Sequence, residues 1–232
     1  MFGYYYGIDM TYLVLVLPAF LFSLWAQMKV NSTFSRYSKV RSLRGLTGAQ
    51  AARYILDRNG LTHVRIEQVA GNLTDHFDPR TNVVRLSQSV YNVPSIAAVG
   101  VAAHECGHAV QYAVGYGPMK LRAAIIPATN FGSKLALPLI LIGLLFNSSQ
   151  LLLAGILLFS LTAVFQLVTL PVEFNASSRA LHTLDQQGLL TQEELAGTRK
   201  VLTAAALTYV AALLVALAQL VRMLLLYNRR RD

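Results

Sequence analysis

The chain has 232 residues, 54% of them hydrophobic and only 13% charged, against roughly 25% charged in an ordinary soluble domain. Its formal charge is +9, yet the basic residues are not interleaved with aromatics on any nucleic-acid motif, which argues against nucleic acid as a partner and for a lipid bilayer. The single cysteine, Cys106, rules out an intramolecular disulfide.

Residues 8–28 form an apolar run with only Asp9 as a charge near its start, long enough to cross a bilayer. Tyr4, Tyr5, Tyr6, Tyr12 and Trp25 suit the interfacial belts at its ends. The run lacks the basic start and small-residue cleavage site of a signal peptide, so it reads as a retained anchor. Lys29, Arg36, Lys39, Arg41 and Arg44 follow closely, which favours a cytoplasmic position for what comes next. A polar linker then leads to a helix that starts at the N-cap candidate Thr47 and stops at Asn59-Gly60. Ala51, Tyr54, Ile55 and Arg58 share the face on which this helix is expected to pack.

Residues 64–69 alternate in polarity and residues 82–87 form a second strand-like run, with a turn at Asp78-Pro79-Arg80-Thr81-Asn82 between them. A sheet of two or three strands is expected there. Residues 95–114 then read as a helix starting at Ser95, so apolar over 96–103 that it should be buried. Gly100 and Gly107 lower helix propensity unless close packing or metal geometry requires them. The helix ends at residues 115–118. From residue 131 the apolar character returns: runs 135–146 and 151–170, separated by Asn147-Ser148-Ser149-Gln150, predict a transmembrane hairpin, with residues 128–134 as its approach. After Pro171 a polar, helix-rich segment extends to Lys200, and residues 203–226 form a fourth apolar run closed by Arg222 and the basic tail from Arg229; its length favours spanning over lying against the other helices with its basic end at the interface. If all four runs span, that tail falls on the outer side, against the basic bias; the first span is given precedence.

The chemistry is concentrated in the helix over 95–114, which contains His104-Glu105-Cys106-Gly107-His108. Residues four apart lie one turn above each other, so His104 and His108 can aim ring nitrogens at one ion. Glu105 is rotated about 100° from His104, where it can act on a water beside that ion. Cys106 points away and reads as a small packing residue. A catalytic zinc wants a third protein ligand, and no Asp, Glu, His or Cys occurs between His108 and Glu173. Glu173 therefore ranks first, because a carboxylate abutting a membrane helix needs a partner. Its competing role is an ion pair with Arg179. The remaining alternatives are His182 and Asp185 downstream and Asp75, His76 or Asp78 upstream. His182 lies about 180° round a shared helix from Glu173, so those two cannot both ligate.

Five strings together carry a likeness: Leu73-Thr-Asp-His-Phe-Asp-Pro-Arg80, Arg85-Leu-Ser87, Val101-Ala-Ala-His-Glu-Cys-Gly-His-Ala-Val-Gln111, Glu173-Phe-Asn-Ala-Ser177 and Val201-Leu-Thr-Ala-Ala-Ala-Leu-Thr-Tyr-Val-Ala211. In these the chain resembles the "putative neutral zinc metallopeptidase" family of bacterial membrane proteins over nearly its whole length. It is more distantly similar to the membrane gluzincins of the HtpX and CAAX-prenyl endopeptidase group. The resemblance implies zinc as cofactor, with His104, His108 and Glu173 as ligands and Glu105 as general base. Ser177 departs from the wider group, which has Asp at that position of its Glu-x-x-x-Asp motif, and this puts the support of the ligands in question.

The fold class expected is thus a mainly α integral membrane protein with about four transmembrane helices and a zincin-like catalytic domain that holds a small β-sheet. Its segments are an anchor over 1–28, the zincin-like domain over 29–130 and the transmembrane hairpin over 131–171. The third-ligand region over 172–202 and a C-terminal transmembrane helix with basic tail over 203–232 complete it. The function expected is hydrolysis of peptide bonds in membrane-associated or unfolded proteins at a multi-pass cell (inner) membrane site. Substrate would lie extended along the exposed edge of the strand near residues 82–87, and Tyr209 and His182 are candidates for a second oxyanion donor. Two other readings compete. One is an intramembrane site-2-type protease, kept open by the apolar run 96–103; the other is a non-catalytic scaffold whose zinc is structural and closed by a fourth ligand. Nothing in these features fixes an oligomeric state.

Overall fold

A computed structural model describes residues 10–231; the aromatic residues Tyr4, Tyr5 and Tyr6, together with Asp9, lie outside them. The protein is mainly α-helical around one small mixed sheet. After a π-helical turn, Tyr12–Val16, come helices α1 (Leu17–Tyr37) and α2 (Gly48–Arg58), then strands β1 (Arg65–Val69), β2 (His76–Asp78) and β3 (Val83–Ser87). Helices α3 (Ile96–Ala113), α4 (Gly117–Leu145), α5 (Ser149–Gln186) and α6 (Gln192–Arg231) follow. Four of the helical segments are long and apolar enough to cross a membrane: Tyr12–Tyr37, Gly117–Leu145, Ser149–Gln186 and Gln192–Arg229.

The chain divides into two compact units along the same line as its polarity. The first gathers Met1–Gln27, Leu121–Leu170 and Thr208–Asp232, which hold most of the four apolar runs. Phe20, Leu24, Leu137, Leu141, Leu157 and Val164 are all exposed on it; such a surface belongs in hydrocarbon rather than water. Without a hydrophobic force between helices in lipid, close approach depends on small residues. A Cβ on Gly143 would stand 2.6 Å from the backbone nitrogen of Leu152, and one on Gly155 2.9 Å from that of Ile140. Ile140, Leu152 and Ile156 form a small core at this contact.

The second unit comprises Met28–Lys120 and Pro171–Leu207. Its core packs α2 and α3 with β3 and the polar-end segments of α5 and α6, through residues such as Leu56, Leu86, Val99, Leu184 and Leu202. Thr47 caps α2 through a capping box: its hydroxyl accepts from Gln50 N at 3.3 Å, and the Gln50 side chain accepts from Thr47 N at 3.0 Å. The buried face of α2 is Ala51, Ala52, Ile55 and Leu56. Arg58, expected on that face, is exposed, with its guanidinium 5.4 Å from the Tyr54 ring centroid. The long aliphatic stem of an arginine can cover apolar surface while its charge stays in water, which pattern counting alone does not separate.

The sheet has the order β1-β3-β2, with β1 parallel and β2 antiparallel to β3. Val83, Val84, Leu86 and Ser87 are buried, as suits a central strand covered on both faces. This corrects the expected placement of substrate along residues 82–87. Both edges of β3 are occupied by β1 and β2, so β3 offers no free edge for an added strand.

Three helix boundaries also differ from expectation. Residues 29–37, read as linker, continue α1. Helix α4 starts at Gly117, well before residue 128, and runs through Pro127 and Pro138. Helix α5 continues through Pro171 for 38 residues. A proline inside a helix costs about 3 kcal/mol in isolation, but the buried stripe Val172, Ala176, Ala180 and Leu184 repeats every four residues on α5. Packing of that stripe outweighs the lost hydrogen bond.

Candidate metal centre

Helix α3 begins at Ser95, whose hydroxyl accepts from Ala98 N at 3.2 Å, and its apolar first half is buried. This fixes the direction in which its second half presents His104 and His108. Their rings meet edge to face, with centroids 4.7 Å apart and planes at 84°. Helix α5 crosses α3 at Gly107, where a Cβ would come within 2.7 Å of the Ala176 carbonyl oxygen. Glycine therefore permits the close crossing; Gly100 does the same for the approach of α6, where its Cβ would meet Thr198 Cγ2 at 2.5 Å. The crossing brings the buried Glu173 opposite the histidines: its Oε2 lies 3.3 Å from His104 Nε2 and 3.4 Å from His108 Nε2. One donor atom from each of the three lies within 4.8 Å of the others.

The far side of each ring is held. His108 Nδ1 lies 3.0 Å from Gln111 Oε1, and Gln111 Nε2 donates to the Val172 carbonyl at 2.8 Å and to Asn175 Oδ1 at 2.9 Å. Those two acceptors fix the orientation of the Gln111 amide, so its oxygen faces His108 and the proton sits on Nδ1. Nε2 of a neutral His108 is then a lone pair directed at a carboxylate oxygen. Ser177 Oγ lies 3.1 Å from His104 Nδ1 and takes the equivalent place behind the other ring. Two ring nitrogens and a carboxylate oxygen converging at this range repel one another unless a cation sits among them. The donor set and its arrangement fit zinc.

The electrostatics point the same way. Burial opposes charge on His108, yet the facing Glu173 carboxylate and the charge of Glu105 outweigh that, raising its pKa above the ordinary histidine value. The pocket thus favours a positive charge, which a proton or a metal ion can supply. Glu105 is buried beside the histidines, and burial pushes its carboxyl above the usual range against the lowering effect of His104 and His108. Such a carboxyl is matched to proton transfer nearer neutral pH than a free glutamate. Cys106 faces the other way, with its thiol 3.6 Å from the Ala52 carbonyl and pushed up by burial.

The alternatives to Glu173 do not join the cluster, although Asp75 is near enough to Glu105 for its charge to raise that carboxyl further. Asp75 accepts from Ser87 N at 2.7 Å and Ser87 Oγ at 2.9 Å, anchoring the segment before β2 to the end of β3. His76 is exposed on β2 with Nδ1 2.9 Å from the Thr74 carbonyl, and Asp78 pairs with Arg85 at 2.8 Å. His182 and Asp185 line a separate cleft on another face of α5. Arg179, the competing partner for Glu173, donates instead to Asn175 Oδ1 at 2.8 Å. Tyr209 belongs to the first unit. Gln111 and Asn175 were not singled out from the sequence. The available signal was a glutamine three residues beyond His108, hence on the same helix face.

Comparison with known proteins gives a consistent picture. Residues 12–228 match the family described as "putative neutral zinc metallopeptidase". Over 223 residues, 96% of this chain and 99% of the relative, the sequence is 51% identical to a protein of Bacillus subtilis (strain 168) named "Putative membrane protease YugP". No solved structure matches.

Proposed function

The chain belongs to the family described as "putative neutral zinc metallopeptidase", and from that premise we propose that it is a multi-pass membrane endopeptidase cleaving membrane-associated or unfolded proteins. The observation that carries the reading is the convergence of His104, His108 and Glu173 beside the buried carboxyl of Glu105. His104, His108 and Glu173 would hold the zinc. When bound, the metal supplies Lewis acidity that acidifies water and polarises a peptide carbonyl. Glu105 takes the proton of the attacking water and returns it to the leaving amine. The hydrogen bonds that the Nδ1 atoms make to Ser177 and Gln111 would keep each imidazole turned with Nε2 toward the ion. Residues 29–120 and 171–207 face the cytoplasm, on the strength of the basic residues after the first span.

A structural zinc would be closed by a fourth protein ligand, whereas the cluster among the described residues comprises two histidines and one glutamate. The site-2-type reading is disfavoured because α3 is not among the four membrane-length helices. The test is cleavage of an unfolded protein by the purified full-length chain. A chelator should stop cleavage and stoichiometric zinc should restore it; cleavage that persists after verified metal removal would refute the proposal.

A further inference from the structure

A cleft of about 1300 Å³ opens within the second unit between the polar ends of α1, α5 and α6. It carries four cations, Lys29, Arg36, Arg199 and Lys200, against a single carboxylate, Asp185. None of the four forms an ion pair among the described residues, and Asp185 is occupied by Gln192 Nε2 at 2.7 Å. Hydroxyls of Thr33, Ser178 and Thr203 add neutral donors, and Phe174 and Leu207 give the cleft an apolar margin. Uncompensated cations with hydroxyl donors make an anion site, and the fork of an arginine matches phosphate oxygens.

The position of these residues in the chain says which anion. Lys29 follows directly on the apolar run of α1. Phe174 comes four residues after the uncharged run that ends at Leu170 on α5, and Leu207 immediately precedes the last apolar stretch of α6. Three membrane-length helices thus each turn from apolar to polar where they enter the cleft. That is the headgroup level of a bilayer, where juxtamembrane Lys and Arg meet anionic lipid. We propose that this cleft binds the phosphate headgroup of an anionic phospholipid, with Lys29, Arg36, Arg199 and Lys200 as its ligands. Ser177 lines the cleft and also stands behind His104, so an occupied cleft borders the support of the metal centre.

The experiment compares phosphatidylglycerol with phosphatidylcholine retained by purified full-length protein, counted by native mass spectrometry. One phosphatidylglycerol per chain should be retained. The triple variant Lys29→Gln, Arg199→Gln, Lys200→Gln should lose it on the order of a hundredfold, the loss expected of three cations at a charged membrane surface. All three positions are exposed, so the fold should survive, and an unchanged melting temperature checks this. The charge-matched variant Lys39→Gln, Arg41→Gln, Arg44→Gln should retain the lipid, and Asp185→Asn should retain more. Equal loss in both triple variants, or no preference for phosphatidylglycerol, would overturn the proposal in favour of diffuse attraction. Displacement of the lipid by equimolar inorganic phosphate or by an acidic peptide would overturn the lipid assignment in favour of those ligands.

Discussion

Glu173 and Ser177 stand one turn apart on α5, as His104 and His108 do on α3, so two i, i+4 pairs face each other across the helix crossing. The histidine pair and Glu105 are readable from spacing, and Glu173 from the absence of any other ligand-type residue between His108 and itself. The departure at Ser177 raised a question that the structure answers: its hydroxyl reaches His104 Nδ1, where the wider group would place a carboxylate. Gln111 and Asn175 escaped the sequence reading because they are neutral amides. Their role exists only once α3 and α5 have come together. Hydrogen-bond partners of this kind are worth about 10–100-fold in metal affinity. Ser177→Ala and Gln111→Ala should each weaken zinc binding by about that factor, measured by competition with a chromophoric chelator, while Ser177→Asp should match or exceed the parent. Unaltered affinity in both alanine variants would show that the rings are oriented by other means. Glu173→Ala should no longer hold stoichiometric zinc by elemental analysis.

Among the elements, the crossing of α3 and α5 is the demanding feature, and Gly107 sets its closeness. Replacing a helix-interior glycine by alanine at an open position gains about 1 kcal/mol of helix propensity. Here the added methyl would lie 2.7 Å from the Ala176 carbonyl, a backbone atom that cannot swing aside. Overpacking of this sort costs typically 1–3 kcal/mol, so the clash should win. Gly107→Ala is expected to lower the melting temperature and to weaken zinc together, since the same shift would separate His108 from Glu173. A raised melting temperature would mean the crossing is looser than described. The small elements were legible: Thr47 and Ser95 cap their helices, and the turn at 78–82 separates two strands. The helix ends beside proline were not, because local rules treat Pro127 and Pro171 as breaks, whereas packing along α5 and the continuity of α4 override them. Strand order was equally out of reach, since a two-residue period fixes faces and not neighbours, and this is why β3 was mistaken for an edge.

At the scale of the whole molecule, the contrast between apolar and polar stretches was the strongest signal in the chain. It corresponds to the division into two units, one holding most of the four apolar runs and the other the candidate metal centre. We propose the inner-membrane topology with the second unit in the cytoplasm, which places the turn at Asn147-Ser148 outside. Cys106 is buried, so a single introduced cysteine can be read against a silent background. Ser148→Cys in intact cells should react with a membrane-impermeant maleimide and Lys39→Cys should not; the reverse pattern would invert the orientation. The central claim is chemical, and it is tested most directly by Glu105→Gln assayed for both zinc content and cleavage of an unfolded protein. The account predicts one zinc per chain, as in the parent, with cleavage lowered by about 10²–10⁴-fold, the contribution typical of a general base. A zinc-loaded Glu105→Gln protein that cleaves at the parental rate would contradict it.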